Sequence, residues 1–215
     1  LIHYIVNPDS RKSIDWRGST LKDIRNDKIF SYEARKQAGH QLSLLQAGLE
    51  PDNWKPLDNL GTGIKEIRIR TNGNAYRIVY LAKFSDCIYI LHCFKRTSMK
   101  MHIETKSTHI SAANSNLFKE LGFAPNEAKK LHAESQHIIS EKLRLKEYLM
   151  SEISQWIADN NLKQIEAAAI LGITRPRVSD VVNKKLPKFT IDALVDMVAR
   201  TGRDVQLSVQ KRSHA

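Results

Sequence analysis

A run of arginines and lysines with one imidazole among them occupies the middle of this 215-residue chain in a pattern suited to phosphate chemistry. Over Ile64 to Arg70 (IKEIRIR), alternation puts Glu66, Arg68 and Arg70 on one face of a strand and Ile67 and Ile69 on the other. Arg77 follows on a neighbouring strand-like run, and His92, Lys95, Arg96 and Lys100 lie at or after a third. Arginine and lysine can hold a scissile phosphate and stabilise charge as it develops, while a neighbouring group takes a 2′-hydroxyl proton. His92 is a candidate proton carrier, although a single histidine at a strand end also serves as a structural hydrogen-bonder. A charged, solvated sheet face gives the same pattern. Alternation alone does not choose between the two.

A second constellation lies in Leu162 to Val182 (LKQIEAAAILGITRPRVSDVV), which reads as two short helices around a tight turn. Leu162, Ile165, Ala168 and Ala169 form an apolar stripe on the first helix, and Gly172 can take the backbone angles of a sharp turn. Ile173 anchors the turn. Thr174 caps the second helix, and Pro176 in its first turn costs little because that amide has no helical partner. Val178, Val181 and Val182 face inward, which leaves Arg175, Arg177, Ser179 and Asn183 facing out. That is the plan of a helix-turn-helix whose second helix enters the major groove. Arg177 is placed to read guanine with a bidentate contact, and Lys184 and Lys185 to hold phosphates.

The elements around these residues divide the chain. Tyr32 to Ala47 has apolar positions at helical spacing, Gly48 ends it, and Trp54-Lys55-Pro56 reads as a loop. Ile64 to Arg70, an Asn72-Gly73 turn, Tyr76 to Ala82 and Cys87 to Phe94 predict an antiparallel meander with a helical layer on one face. Lys95 to Asn116 is polar and aperiodic. Leu117 to Leu121, Pro125 to Asn161 (with a break) and a helix started by Thr190 follow, and Val205 to Val209 alternates like a final strand. The expected organisation is an α+β domain over 1–100, a linker over 101–116 and an all-α domain over 117–215.

The net charge of +11 is shared, with an excess of six positive charges in residues 1–98 and five in 99–215. Two halves that each meet a polyanion account for that, as does a generic basic surface. No apolar run reaches about 18 residues, so no membrane span is expected. The opening LIHYIVNPDSRK is too soon interrupted for a secretory signal. Cys87 and Cys93 are expected as buried thiols in a reducing cytoplasm. Scattered histidines and the lack of a carboxylate cluster predict no metal and no cofactor.

The segment from Asn116 to Val209 closely resembles the Xre-type helix-turn-helix of HigA-like antitoxins. The resemblance implies that Gln164 holds a phosphate, that Thr174 opens the reading helix, and that Arg175, Pro176, Arg177 and Ser179 contact bases and phosphates. Farther upstream, Trp16-Arg17-Gly18-Ser19, Glu33-Ala34-Arg35, Trp54-Lys55-Pro56, Lys65-Glu66-Ile67-Arg68 and Tyr76-Arg77-Ile78-Val79-Tyr80 form a second set. Together with Leu91-His92-Cys93-Phe94 they resemble the HigB-type, phage-related branch of the RelE/ParE toxin superfamily over about Ile14 to Lys100. Many members cleave messenger RNA on the ribosome, and relatives in the ParE branch poison gyrase. The resemblance implies that Arg68, Arg77, Arg96 and Lys100 bind RNA or stabilise its cleavage, with Lys95 a weaker candidate and His92 as proton carrier.

The family's strand end continues into a further basic helix. Here Phe94 to Lys100 fits, but Met101 replaces a threonine and Met101-His102-Ile103-Glu104 resembles the start of an antitoxin, so the toxin-like portion stops short. The expected protein is a toxin–antitoxin autorepressor that binds operator DNA as a homodimer, with its toxin domain neutralised or disabled. The alternative is an active, ribosome-dependent endoribonuclease acting on mRNA, restrained by the fused domain. In either case Leu117 to Leu121 is expected to fold back over the basic face, with Glu104, Glu120, Glu127 and Glu134 as contacts.

Overall fold

The computed structural model describes residues 11–84, 87–96, 103, 105–206 and 208. The chain divides into two compact units, Leu1–Ser140 and Glu141–Ala215. Helical period and strand alternation separate them as expected: a sheet with helices comes first, then helices alone.

Six strands make the sheet of the first unit: β1 (Ser13–Arg17), β2 (Trp54–Pro56), β3 (Ile64–Thr71), β4 (Asn74–Leu81), β5 (Cys87–Lys95) and β6 (Ser107–Ser111). Their order is β2-β3-β4-β5-β1-β6. The expected meander is its centre, β3-β4-β5, and Asn72 (φ 50°) with Gly73 (φ 73°) forms the two-residue turn that joins β3 to β4. Beyond the meander, β1 pairs in parallel with β5, which makes the sheet mixed. Trp54–Pro56, read as a loop, is a short edge strand held by pairing with Lys65, Glu66 and Ile67.

The helices α1 (Thr20–Arg25), α2 (Tyr32–Gln46), α3 (Leu117–Glu120) and the start of α4 (Pro125–Asp159) pack on one sheet face. That face presents Ile67, Ile69, Tyr76, Ile78, Ile88, Ile90, Ile14 and Trp16, all buried. The helical layer meets it with Leu21, Ile24, Ala34, Ala38, Leu42, Leu117, Phe118 and Leu131. Ser31 starts α2 by accepting a bond from the Ala34 amide, and Asn116 starts α3 by accepting from Phe118 and Lys119.

The boundary expected near residue 100 therefore moves. Ser107–Ser111, inside the segment read as a linker, is a strand antiparallel to β1. Its polar side chains are the reason it joins the sheet, and also the reason its sequence has no apolar alternation. Ser107 Oγ donates to Asp15 at 2.7 Å, Thr108 Oγ1 donates to the Trp16 and Gly18 carbonyls at 3.0 and 2.9 Å, and Trp16 Nε1 donates to Ser111 Oγ at 2.8 Å. Next, Leu117, Phe118, Leu121 and Phe123 enter the same core as the sheet. Phe118 lies where a side chain on Gly39 would be, with its Cε1 2.6 Å from the position of a Cβ there. Only a glycine in α2 lets α3 approach so closely.

Glu120 ties α3 to β6 by accepting from Ser111 Oγ and meeting His109 Nε2 at 2.9 Å. Burial works to raise its carboxyl, but the hydrogen bonds from Ser111 and His109, with the Ser115 hydroxyl nearby, outweigh burial and hold it below the ordinary carboxylate value. A depressed folded value stabilises the fold above the unfolded value of about 4.3, and the gain is lost as pH falls through the folded value. Acid unfolding of the first unit should thus be steeper below about pH 4.3 in the natural chain than in Glu120→Gln. Equal acid profiles would show that the carboxylate contributes nothing.

In the second unit, α5 (Gln164–Leu171), α6 (Arg175–Val182) and α7 (Ile191–Arg200) close on the end of α4. Helix α4 runs unbroken from Pro125 to Asp159. Its Leu149, Met150, Ile153 and Trp156 join Ala167, Leu171, Val178, Val181, Phe189, Leu194 and Met197 in one core. Val205 and Gln206 form no strand, and Leu207 and Val209 lie outside the described residues. No described helix is long and apolar enough to cross a membrane. Cys87 and Cys93 are buried free thiols, and burial pushes the Cys93 thiol up.

Candidate nucleic-acid interface

Register settles which side chains share the sheet face opposite the helices. Arg68 pairs directly with Arg77, Arg77 with Phe94, and Val79 with His92, so these side chains point to one side. Arg70, two residues beyond Arg68, joins them, and the Arg96 amide bonds the Ala75 carbonyl at 2.7 Å, placing Arg96 at the end of the same rows. Lys95 pairs with Tyr76, whose ring belongs to the helical side. Lys100 lies outside the described residues.

Glu66 organises this cluster, a role that strand alternation alone does not reveal. Its carboxylate accepts from Arg68 Nε at 3.1 Å and lies 3.2 Å from Arg77 Nε. Both Glu66 and Arg77 are buried, and Arg77 also donates to the Tyr76 carbonyl. Burial lowers the Arg77 pKa, Glu66 raises it, and nearby Arg68, Arg96 and Arg70 lower it again. One carboxylate thus meets two guanidiniums with those of Arg70 and Arg96 nearby, which leaves net positive charge on this side of the sheet. The signal was present in the sequence: Glu66 and Arg68 are two apart on one strand, and Arg77 is the partner across the turn. His92 stacks on Phe94 with ring centroids 4.9 Å apart.

The expected cover over this face takes another route. Strand β6 joins the far edge of the sheet, and α3 and the start of α4 pack on the helical side. Of the carboxylates offered for contact, Glu120 meets Ser111 and His109, and Glu127 accepts from Tyr32. Glu134 lines a groove of about 510 Å³ beside α2, and Glu104 lies outside the described residues. That groove reaches the sheet edge at Arg68, and its nearest candidate for nucleophilic chemistry, Ser135, is buried with its Oγ 2.8 Å from His40 Nδ1.

In the second unit the turn forms as read. Gly172 has φ 65° and Ile173 packs against the core. Arg200 from α7 donates to the Leu171 carbonyl at 2.6 Å, and a Cβ on Gly172 would come 1.9 Å from its Nη1. Gly172→Ala should cost about 1–2 kcal/mol for the left-handed backbone alone, read as a lower unfolding midpoint of the second unit. An unchanged midpoint would show that the turn relaxes without strain. Thr174 holds the N-cap position of α6, but its hydroxyl makes no capping bond.

The buried rows differ from those expected. On α5 the core takes Ala167, Ala168 and Leu171, while Ala169 is exposed and Ile165 is 68% exposed. On α6 it takes Val178 and Val181, while Val182 is 44% exposed. At about 100° per residue, this puts Arg175, Pro176, Ser179 and Asn183 on the outer face. Arg175 Nε lies 3.5 Å from Gln164 Oε1, which brings the two helix starts together. Arg177 turns away from that face: its Nη2 donates to the Lys188 carbonyl at 2.9 Å and its guanidinium lies 4.3 Å over the Phe189 ring.

Three lysines flank the outer face. Lys184 Nζ meets Glu147 at 3.2 Å, while Lys185 and Lys188 meet the two oxygens of Asp180 at 2.8 and 2.7 Å. Hydrogen bonds from Lys185 and Lys188 hold the Asp180 carboxyl below its ordinary value. Helical period alone does not single out Asp180 or Lys188. An acid on the inner side of α6 followed by cations five and eight residues later was the available signal.

Residues 28–117 match the phage-derived Gp49-like protein family, and residues 133–210 match a helix-turn-helix domain family. The first match runs past residue 100 and through β6. Among solved structures, an XRE family transcriptional regulator is 31% identical over 35% of this chain and 90% of that chain, with a TM-score of 0.33. No curated protein matches.

Proposed function

From a chain that joins a Gp49-like domain to a helix-turn-helix domain, we propose a toxin–antitoxin autorepressor whose second unit reads operator DNA and whose toxin-like unit is neutralised or disabled. The observation that carries the DNA reading is the outer face of α6, where Arg175, Ser179 and Asn183 stand clear of the core beside Gln164. Base-edge contacts by such a helix, with phosphate contacts from Gln164, Lys184 and Lys185, make a sequence-specific site. One short helix reads few base pairs. A homodimer on inverted half-sites about one helical turn apart supplies the remainder. Titration of the full chain against its own upstream DNA and a scrambled duplex tests this reading, with tighter binding to the former expected. Equal binding overturns it.

A second reading, a restrained mRNA endoribonuclease, is favoured by one observation. The described segment after β5 pairs with β1 at the sheet edge and packs on the helical side, opposite the side that carries Arg68 and Arg77. On this reading Arg68, Arg77 and Arg96 hold RNA and stabilise charge developing at the phosphate, with His92 as proton carrier. Lys100 is assigned to the same role on the resemblance alone. Both readings give this face single-stranded RNA as ligand, and they differ in whether the strand is cut. Expression of residues 1–140, which retain the whole first core, separates them. Transcript cleavage and growth arrest, abolished in Arg77→Ala, support the enzyme; intact transcripts support the disabled form.

A further inference from the structure

The open sheet face continues beyond the arginine cluster. Leu81 pairs with Tyr89 and Tyr89 with Asp15, so Tyr89, Asp15 and Arg17 share the side that carries Arg77 and His92. There, Arg17, Leu81, Phe84, Tyr89, Leu91 and Ile103 line a pocket of about 330 Å³, at the small end of the range for ligand sites. Phe84 meets Tyr89 edge to face with ring centroids 5.7 Å apart, and half of Phe84 is exposed. The Arg17 guanidinium lies 4.8 Å over the Tyr89 ring. Its Nη2 pairs with Asp15 at 2.7 Å and its Nη1 donates to the Thr105 carbonyl at 2.6 Å. Its Nε is buried and has no acceptor.

We propose that this pocket receives one unstacked nucleobase of a single-stranded RNA whose phosphates lie on the Arg68–Arg77 cluster. An aromatic ring and a guanidinium plane suit a flat heterocycle, because both stack on bases without regard to sequence. The lining is apolar apart from Arg17 and Thr105, so it disfavours a phosphate or a carboxylate. Tyr89, His92 and Phe94 mark a path of roughly 17 Å along β5 from the pocket to the arginines. The inference rests on the reading of the open face as an RNA surface and adds to it the place where a base is held.

The test uses the full chain and a fluorescent RNA of about 12 nucleotides containing all four bases, titrated at physiological salt. Phe84→Ala, which alters a half-exposed side chain, should weaken binding roughly 5- to 150-fold, and Phe84→Tyr should restore it. Placing an abasic nucleotide at each position in turn should reveal one position at which Phe84→Ala has no further effect. Unchanged affinity of Phe84→Ala, with Arg68→Ala and Arg77→Ala still weakening binding, overturns the pocket and leaves the RNA surface standing. No measurable binding of the natural chain to RNA overturns both.

Discussion

Phe118→Ala is expected to destabilise the first unit by about 3–5 kcal/mol, the range for removing a buried aromatic ring. The ring is 1% exposed, fills the space left by Gly39 and touches the edge of Phe123. Gly39 has no side chain to reorient into the gap, and α2 is held by its own packing on the sheet. Segment-resolved hydrogen exchange on the full chain is the suitable measurement. Protection should fall across β3, β4 and β5, while the second unit, whose core shares no residue with the first, keeps its own. A first unit that loses less than about 1 kcal/mol would show α3 to be an appendage. The same reasoning says that a chain ending near residue 100 will not fold. It would lack Leu117, Phe118, Leu121, Phe123, Ala128 and Leu131 from a single core.

The second large effect concerns the two arginines that open α6. Arg175→Ala should lower discrimination between operator and scrambled DNA by about 1–3 kcal/mol, the worth of a good base contact. The side chain is exposed, and its Nε lies 3.5 Å from Gln164 Oε1. Arg177→Ala should behave differently. It removes a cation–π contact and a bond to the Lys188 carbonyl, together worth about 1–2 kcal/mol of stability, and loosens the segment that carries Lys185 and Lys188. Its affinity should therefore fall alike for all duplexes. Parallel titrations of the two variants decide the matter. Should Arg177→Ala erase sequence preference while Arg175→Ala keeps it, Arg177 leaves Phe189 to read bases, as its place in the sequence first suggested.

Much of this was legible where local chemistry decides structure. Asn72-Gly73 dictated the turn between β3 and β4, and Gly172 dictated the turn between α5 and α6. Alternation over Ile64 to Arg70 put Arg68 on the open face, and the hairpin register brought Arg77 beside it. Other features depend on partners far away in sequence. Ser107–Ser111 has no apolar rhythm because it is fixed by hydroxyl bonds to β1, whose residues precede it by about ninety positions. Ile165 and Val182 fit an apolar stripe by spacing, yet short helices expose flanking positions that a longer packed helix would cover. The fate of Arg177 turned on Phe189, a neighbour that no periodicity within α6 announces.

Strand β6 also bears on how this protein behaves in a crowded solution. Without it, β1 would present a row of unpaired amides and carbonyls beside Trp16, a ready template for a strand from another molecule. A five-residue strand of serine, threonine, histidine and isoleucine occupies that row, and it is short and mostly polar. Proteolysis that freed Ser107–Ser111 should therefore first be seen as self-association, visible by light scattering before any loss of helical signal. A segment whose sequence suggests a linker is also what keeps one copy of the sheet from adding to the next.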